Sequence, residues 1–438
     1  MNLACLRRYV LLGITACSTG VSADEYHYNN MLIGDRASGL GGAYTAIADD
    51  ATGLFYNPAG ITYSRGRNLT ASVNAYHITN IAYKDVLGGD DWNRESASLL
   101  PNFFGVVQPL GGGVAGFSYA VTDSIQENLD QRFALAGVDD YIINLNNSDS
   151  TYKLGASYAL EINKKLSVGA TMYVHYRTTE TVMNQIITGI DSPAINGTYQ
   201  WLSGYSQSTE YGFEPVLGVM WTPLDRLAFG ATVRHNSIFS SKIESQATCA
   251  TDIDETTPSE VAAADLCHSP STGAGLTTPT SLLGDSTEKR VYPTQITIGA
   301  AYFPTDRLLF AGDFSYYTAA EGVGDENDGS TLRSKASTWN ASFGAEYYFS
   351  NAWALRGGIY TNNANTPTLE SDLTDQPDHV NLVGISASLS RFTRQSSITA
   401  GFSYASGSGE AQIVGGTTAI QDVSVATTTL FLSTSYNY

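Results

Sequence analysis

The chain has 438 residues, of which 15% are charged, and its formal net charge is -19. This acidic surplus argues against nucleic acid binding, because the protein surface would repel phosphates. No window approaches the 18 or more consecutive apolar residues of a transmembrane helix, so a helical membrane protein is excluded. The chain is rich in Tyr (27) and Gly (42), and its mean hydropathy is only -0.12. This composition fits a large β protein that carries its apolar residues in alternating positions, as transmembrane β-barrels do.

The first residues have the pattern of an export signal. Arg7 and Arg8 form a positive region, residues 9–16 form a short apolar region, and Val21-Ser22-Ala23 offers small residues at a cleavage site. We therefore predict a signal peptide over residues 1–23. A second interpretation stays open, because Ile14-Thr15-Ala16-Cys17 also resembles a lipobox, which would make Cys17 an acylated N-terminus.

Export leaves a single pair of cysteines. Removal of residues 1–23 takes away Cys5 and Cys17, so Cys249 and Cys267 remain. We predict that they form a disulfide, which would staple the acidic, turn-rich segment between them. A metal site is the alternative, although the two thiols and His268 have poor spacing for zinc.

From about residue 67 the sequence alternates with a period of two. In residues 166–177 one face is apolar, and the other carries Ser167, Thr171, Tyr173, His175 and Arg177, which makes the last three candidates for lining a lumen. Residues 339–349 place aromatic residues at both ends of one face, as in a lipid-facing strand between two aromatic girdles. A soluble sandwich also alternates, so this pattern alone does not decide.

Connection lengths favour a membrane barrel. Tight turns near residues 221–227 and 303–308 alternate with long polar connections, predicted at 84–99, 123–150, 182–207, 242–288, 319–334, 361–378 and 407–421. Short turns at one rim and long loops at the other are typical of outer-membrane barrels. The remaining segments number fourteen strands, and the last ends in a terminal aromatic residue, which resembles the signal recognised by barrel-assembly machinery.

Residues 34–60 break the alternating pattern. They are rich in Gly and Ala, and Gly39-Leu40-Gly41-Gly42 lacks the spacing of a dinucleotide-binding loop. Ala46-Ile47-Ala48 suits close packing, and Asn57-Pro58-Ala59-Gly60 predicts a turn. A flexible linker is the alternative interpretation of this segment.

The same segment resembles a known family. Ser38-Gly39-Leu40-Gly41, Ala43-Tyr44, residues 46–51 (AIADDA) and Asn57-Pro58-Ala59 occur in the order found in the FadL/TodX family of outer-membrane transporters for long-chain fatty acids and aromatic hydrocarbons. The resemblance implies an all-β fold, in which residues 63–438 form a 14-stranded antiparallel transmembrane β-barrel and residues 24–62 form an N-terminal hatch that plugs it. The candidate hatch and gating residues are Gly39, Gly41, Gly42, Ala48, Asp49, Asp50, Asn57, Pro58 and Ala59.

The resemblance also implies passive uptake of a hydrophobic ligand, with lateral release into the bilayer beside a kinked third strand. Gly113 and Gly116 are candidates for that kink, because glycine permits bulges. The alternative is that Gly111-Gly112-Gly113 is only a turn. The expected partners are a hydrophobic small molecule, outer-membrane lipids and lipopolysaccharide, and the barrel-assembly machinery, without nucleic acid.

Enzymatic chemistry has little support in the sequence. Neither a Gly-x-Ser-x-Gly elbow, a His-Glu-x-x-His pair nor a P-loop occurs, and we expect neither an enzyme nor a cofactor. Residues 325–329 are acidic, but they lack the bidentate Glu of a calcium loop, which favours a solvated loop. A general porin and a barrel partner in protein secretion or surface attachment remain the alternative functions for an outer-membrane barrel.

Overall fold

The computed structural model describes residues 26–64, 66–134, 138–189, 199–251, 280–287, 289–322, 334–374, 376–414 and 417–437. Within them, a short helical segment precedes a single large sheet. The helices are α1 (Arg36–Gly39), α2 (Gly53–Tyr56) and a 3-10 helix (Pro58–Tyr63). Among the described residues, no helix has the length and hydrophobicity needed to cross a membrane.

The described strands follow one another in an antiparallel sheet. They are β1 (Asn68–Leu87), β2 (Asp90–Leu110), β3 (Gly113–Phe133), β4 (Asp140–Asn163), β5 (Leu166–Thr188), β6 (Tyr199–Leu224), β7 (Leu227–His235), β8 (Ser237–Thr251), β9 (Thr280–Ser286), β10 (Thr294–Thr305), β11 (Leu308–Tyr317), β12 (Thr338–Ser350), β13 (Trp353–Asn362), β14 (His379–Val380), β15 (Leu382–Phe392), β16 (Ser396–Ala411) and β17 (Gln421–Asn437).

These segments make a closed barrel of fourteen strands, as the sequence predicts. β7 and β8 both pair with β6 and form two parts of one strand. β9 and β10 continue each other in the same way, as do β14 and β15. The last strand closes the barrel by pairing with the first, from Asn68 opposite Asn437 to Tyr83 opposite Val423. Closure leaves no free edge at this seam.

The predicted alternation corresponds to an outer and an inner face. On β5, Met172 and Val174 are exposed, whereas Tyr173 and His175 are buried in the lumen. Four outward tyrosines on neighbouring strands form a row with ring centroids 5.2–6.3 Å apart: Tyr119, Tyr152, Tyr176 and Tyr211. This row is an aromatic girdle about midway along these strands, which continue beyond it toward the long connections.

Three predicted loops are instead extensions of the strands. Residues 84–99 form the ends of β1 and β2 around Gly88 and Gly89, whose positive φ values suit a tight hairpin turn. Most of 123–150 and much of 182–207 are likewise strand. These predictions were wrong because most outward residues beyond the girdle are polar, whereas the alternating apolar residues there, such as Tyr141, Ile143 and Leu145, face the lumen, and hydrogen-bonded pairing continues.

The predicted disulfide stays a prediction. Cys249 lies in β8 opposite Leu202 and Thr280, whereas Cys267 lies outside the described residues. The signal peptide, Cys17 and the acidic loop at 325–329 also lie outside them.

Candidate functional site

The described N-terminal residues, 26–64, occupy the barrel lumen, and we call them the plug. Its contacts reach widely separated strands. The Tyr44 and Thr45 amides donate to Asp313 on β11 at 2.9 and 2.8 Å, and Arg36 makes a two-point contact with Glu346 on β12. Glycines on the wall make room for the plug: a Cβ at Gly344 would lie 2.6 Å from the Leu40 carbonyl oxygen. The plug therefore packs directly against the wall backbone.

The predicted hatch residues divide into packing and polar positions. Ala48 has a φ of +38°, and a Cβ at Gly60 would lie 2.5 Å from both its Cβ and its carbonyl oxygen. Gly41 and Gly42 have positive φ values, which glycine tolerates. A Cβ at Gly39 would lie 2.1 Å from the Ser388 hydroxyl. Small residues are therefore needed in this part of the plug.

Asn57 joins the plug to the wall. It is completely buried, and its Nδ2 donates to the carbonyl oxygens of Thr45 in the plug and Val219 on β6, at 2.8 and 3.1 Å. Its Oδ1 accepts from the amide of Ala59 at 3.1 Å. Pro58 opens the 3-10 helix, where its missing N–H carries no cost.

The two predicted aspartates lie in a polar part of the plug. Asp49 pairs with Arg36 at 2.7 Å, and Asp50 accepts from the amide of Thr52 at 2.7 Å. Burial, together with the nearby carboxylates of Asp35 and Asp49, raises the pKa of Asp50 from 3.8 to about 7. The charged form of Asp50 is therefore disfavoured in the folded plug.

A cavity of about 160 Å³ lies between the plug and the barrel wall. Phe55 of the plug lines it, and two cations from the wall flank that ring: Lys153 Nζ is 6.0 Å and Arg234 Cζ is 4.7 Å from the ring centroid. Both cations share one carboxylate, Glu214, at 2.6 and 3.5 Å. We call Lys153, Arg234 and Glu214 the cation cluster, which carries one more positive than negative charge.

The polar end of this cavity holds buried atoms without hydrogen-bond partners among the described residues. These atoms are Nδ1 and Nε2 of His175, a residue that is 1% exposed, and Nε of Arg234. The His175 ring packs edge-on against Tyr292, with centroids 5.4 Å apart. Buried polar groups are ordinarily satisfied, so this end of the cavity is suited to a polar group or to water.

The wall of the barrel is interrupted between β2 and β3. These strands pair regularly from Leu110 opposite Gly113 to Phe103 opposite Ala120, and then only through Ser96 opposite Glu127. Between these pairings lie six residues on each strand, which we call the β2–β3 gap: 97–102 and 121–126. At about 3.3 Å per residue the gap is about 20 Å long. It begins just beyond Tyr119 of the aromatic girdle.

Two local features coincide in the gap. Pro101 lies within β2 and lacks the N–H that a strand donates to its neighbour. On β3, Thr122 is an extra residue between the pairs that Val121 and Asp123 make with β4, which is a bulge. Gly113 and Gly116, the sequence-based candidates for a kink, lie instead in the regularly paired part, and Gly111 and Gly112 form the turn before it.

The plug covers the gap from the inside. Asn102 Nδ2 donates to the Leu32 carbonyl oxygen at 3.1 Å, and Asn30 Nδ2 lies 3.5 Å from Asp123 Oδ1. Ile33 packs in one buried cluster with Phe103 and Ala120 at the edge of the gap. Movement of residues 30–33 would therefore uncover this part of the wall.

Sequence reasoning did not identify the cation cluster or the gap. Among the predicted lumen residues, His175 and Tyr173 do face inward, but Lys153, Glu214 and Arg234 come from three different strands, and only the closed barrel brings them together. Pro101 was a usable signal, because proline within a predicted strand indicates an edge or a bulge.

Comparison with known proteins gives a family and a fold. A model of the outer membrane transport proteins described as OMPP1/FadL/TodX matches residues 17–437. The toluene transporter TodX of Pseudomonas putida is 15% identical, with a TM-score of 0.62 over 93% of this chain and 98% of its own. A FadL homologue of Pseudomonas aeruginosa has the same identity and TM-score, over 92% and 98%. The Ralstonia pickettii toluene transporter TbuX is 14% identical, with a TM-score of 0.57 over 94% and 100%. The search of curated proteins found no match.

Proposed function

Because the chain belongs to the OMPP1/FadL/TodX family of outer membrane transport proteins, we propose that it is a passive channel for an amphipathic hydrophobic acid, gated by the plug and emptying sideways into the outer membrane. The family consists of transport proteins and not of enzymes, and its members are barrels of the outer membrane. The ligand class, the gate and the lateral route go further than the family assignment and are proposals.

The observation that carries the proposal is the β2–β3 gap. A barrel wall normally satisfies every backbone group by pairing with the next strand. Here the pairing stops over six residues on each strand, and beyond them only Ser96 and Glu127 pair among the described residues. Leu99, within the gap, is 73% exposed. The gap therefore supports a route from the lumen through the wall that begins at the girdle.

The plug is the proposed gate. A cavity of about 160 Å³ is smaller than the roughly 300–1,000 Å³ of typical ligand pockets. A long acyl chain requires more space, so residues of the plug must shift when it enters. The contacts of Leu32 and Asn30 with the gap connect such a shift to the exit.

The cation cluster supports an acid as the ligand. Lys153 and Arg234 outnumber Glu214, and the Nε of Arg234 has a free hydrogen-bonding position among the described residues. The carboxylate of a ligand would supply the missing negative charge and a hydrogen-bond acceptor for Nε of Arg234. A toluene-like ligand would leave these groups unsatisfied, which favours fatty acids among the two ligand classes of the family.

The experiment is a reversible lock across the gap. With the native cysteines replaced by Ser, Ser98→Cys and Ile125→Cys place thiols on two inward-facing residues that would face each other if the pairing continued. We expect oxidation to lower uptake of labelled oleate at least tenfold, and reduction to restore it. Val106→Cys with Phe117→Cys is the matched control, because that pair lies in the intact ladder. Unchanged uptake in fully cross-linked protein would contradict lateral release.

We propose further that residues 1–23 are removed on export, that residues 24–62 act as the hatch, and that residues 63–438 form the barrel domain. Barrel-assembly machinery would insert the chain, and the outward apolar band would contact lipid and lipopolysaccharide. N-terminal sequencing of the protein purified from outer membranes tests the cleavage site.

A further inference from the structure

A buried ion pair lies at the outer end of the β2–β3 gap. Arg94 Nε and a terminal Arg94 nitrogen donate to the two carboxylate oxygens of Glu127 at 2.9 and 2.7 Å. Asn147 on β4 donates to the same carboxylate at 2.9 Å. Arg94 is 7% exposed and Glu127 is 4% exposed. Two-point contacts of this kind are both strong and geometrically specific.

The position of this pair distinguishes it from an ordinary lumen salt bridge. Glu127 is opposite Ser96, which is the only backbone pairing of β2 and β3 beyond Phe103 and Ala120 among the described residues. The Ser96 hydroxyl accepts from the amide of Gln126 at 2.8 Å. One backbone pairing, reinforced by the ion pair, therefore holds the two strands together between the gap and the tips of the strands.

The tips themselves are joined by weaker contacts. Gln131 Nε2 donates to the Asp91 carbonyl oxygen at 3.3 Å, and Ala134 donates to an Asp90 carboxylate oxygen. Trp92 and Phe133 belong to one buried apolar cluster at this end of the barrel. Packing is not directional, so it does not by itself fix the spacing of the two strands.

We propose that Arg94 and Glu127 are positioning residues that set the outer limit of the lateral opening. They hold β2 to β3 above the girdle, so that the gap stays a bounded window that begins at the girdle and does not continue as an open seam to the tips of the strands. This inference rests on the proposed lateral release, because the window has a transport role only there. A ligand that leaves through the end of the window next to the girdle then meets lipid before it meets water.

The chain contains a matched control pair. Arg177 and Asp149 make the same two contacts at 2.9 and 2.7 Å across β4 and β5, with Thr179 as the third partner at 3.1 Å. Their backbone seam is continuous on both sides, from Glu161 opposite Ser167 to Asp140 opposite Thr188. Removal of this pair eliminates a similarly buried ion pair but leaves the residues around the β2–β3 gap unchanged.

The test measures access to the gap and needs no ligand, so its result is separate from that of the uptake experiment. In a chain without native cysteines, Ser98→Cys reports on the gap, and Ser403→Cys reports on an inward position of the continuous β16 seam. A membrane-impermeant maleimide is added to intact cells. The ion pair is removed as R94M/E127L, because truncating one partner alone would leave a buried charge unpaired.

We expect R94M/E127L to raise the labelling rate of Ser98→Cys at least tenfold and to leave Ser403→Cys within twofold. D149L/R177M should change neither reporter more than twofold. An unchanged rate at Ser98→Cys would overturn the proposal, as would an equal rise at both reporters, which indicates general loosening.

A milder variant keeps the test decisive if the double variant does not assemble. Arg94→Lys retains the charge but loses the planar two-point contact. We expect it to raise labelling at Ser98→Cys several-fold in barrels with wild-type heat-modified gel mobility. A wild-type labelling rate in R94K would count against the positioning role.

Discussion

Pro101 on β2 and Thr122 on β3 occupy facing positions across the interrupted wall. The register is the same on both sides of the gap, since Phe103 faces Ala120 at one end and Ser96 faces Glu127 at the other, with equal numbers of residues between them. If this register continues through the gap, Pro101, which has no backbone N–H, lies opposite Thr122, the extra residue of the bulge. The strands are therefore separated without slipping, and a change at either residue can allow them to rejoin.

Replacement of Pro101 tests this relationship. Pro101→Val restores a backbone donor and adds a residue that favours strands, so we expect the gap to close partly. Slower amide hydrogen exchange over residues 97–102 and 121–126, and lower uptake of oleate, are the expected results. Pro109→Val, in the paired part of β2, is the control. Faster exchange in P101V would contradict this explanation of the gap.

Replacement of Asn57 tests the attachment of the plug. Asn57→Ala leaves the Thr45 and Val219 carbonyl groups and the Ala59 amide without their partner. Each such buried group costs about 1–3 kcal/mol. We expect a heat-modifiable barrel with altered oleate uptake and faster exchange in residues 44–60.

Thr62→Ala is the matched control for Asn57, because the Thr62 hydroxyl donates to the Ala59 carbonyl oxygen within the plug and not to the wall among the described residues. Asn57→Ala combined with Pro58→Ala should enlarge the effect on uptake. Wild-type uptake and wild-type leakage of small solutes in this double variant would mean that the segment is a linker and not a gate.

The stability of the plug should depend on pH through Asp50. Its pKa is raised from 3.8 to about 7 by burial and by Asp35 and Asp49, so the unfolded plug releases this proton at a lower pH than the folded plug. The associated stabilisation is present below about pH 4 and is lost as the pH rises to about 7, by at most about 4 kcal/mol.

Hydrogen exchange of residues 44–52 between pH 4 and 8 measures this effect after correction for intrinsic rates. We expect protection to decline with pH in the wild type and to stay flat in Asp50→Asn. Asp225→Asn, in the turn between β6 and β7, should retain the wild-type profile. A decline of equal size in D50N would assign the pH dependence to another group.

The cation cluster should recognise the charge of the ligand. Lys153→Met removes the positive surplus but leaves Arg234 paired with Glu214. We expect the Kd for oleate to rise about tenfold, equivalent to about 1.4 kcal/mol, with little change for the neutral methyl ester. Lys84→Met, an exposed lysine paired with Asp91, is the control. Equal losses for acid and ester would mean that Lys153 only supports packing.

The sequence predicted the number of strands and their lipid-facing residues because lipid and lumen impose a strict alternation on each strand. It did not predict the outer halves of β3 to β6, because the apolar residues there, such as Tyr141, Ile143 and Leu145, face the lumen, so the lipid-facing alternation on which the prediction relied stops at the girdle. The sequence also did not predict how the plug packs against the barrel wall. That Asp313 accepts from Tyr44 and Thr45 depends on residues almost 270 positions apart, which no local pattern connects.

The interruption of the wall affects how the barrel interacts with neighbouring proteins in a crowded membrane. A closed barrel has no edge strands, and edge strands are templates on which other chains add and aggregate. The β2–β3 gap restores two short edges on the outer surface. Proline and a bulge are among the means by which natural sheets blunt such edges, and here Pro101 and Thr122 lie within these edges, near the end next to Phe103 and Ala120. The residues that keep the opening apart thus also protect neighbouring barrels from pairing through it.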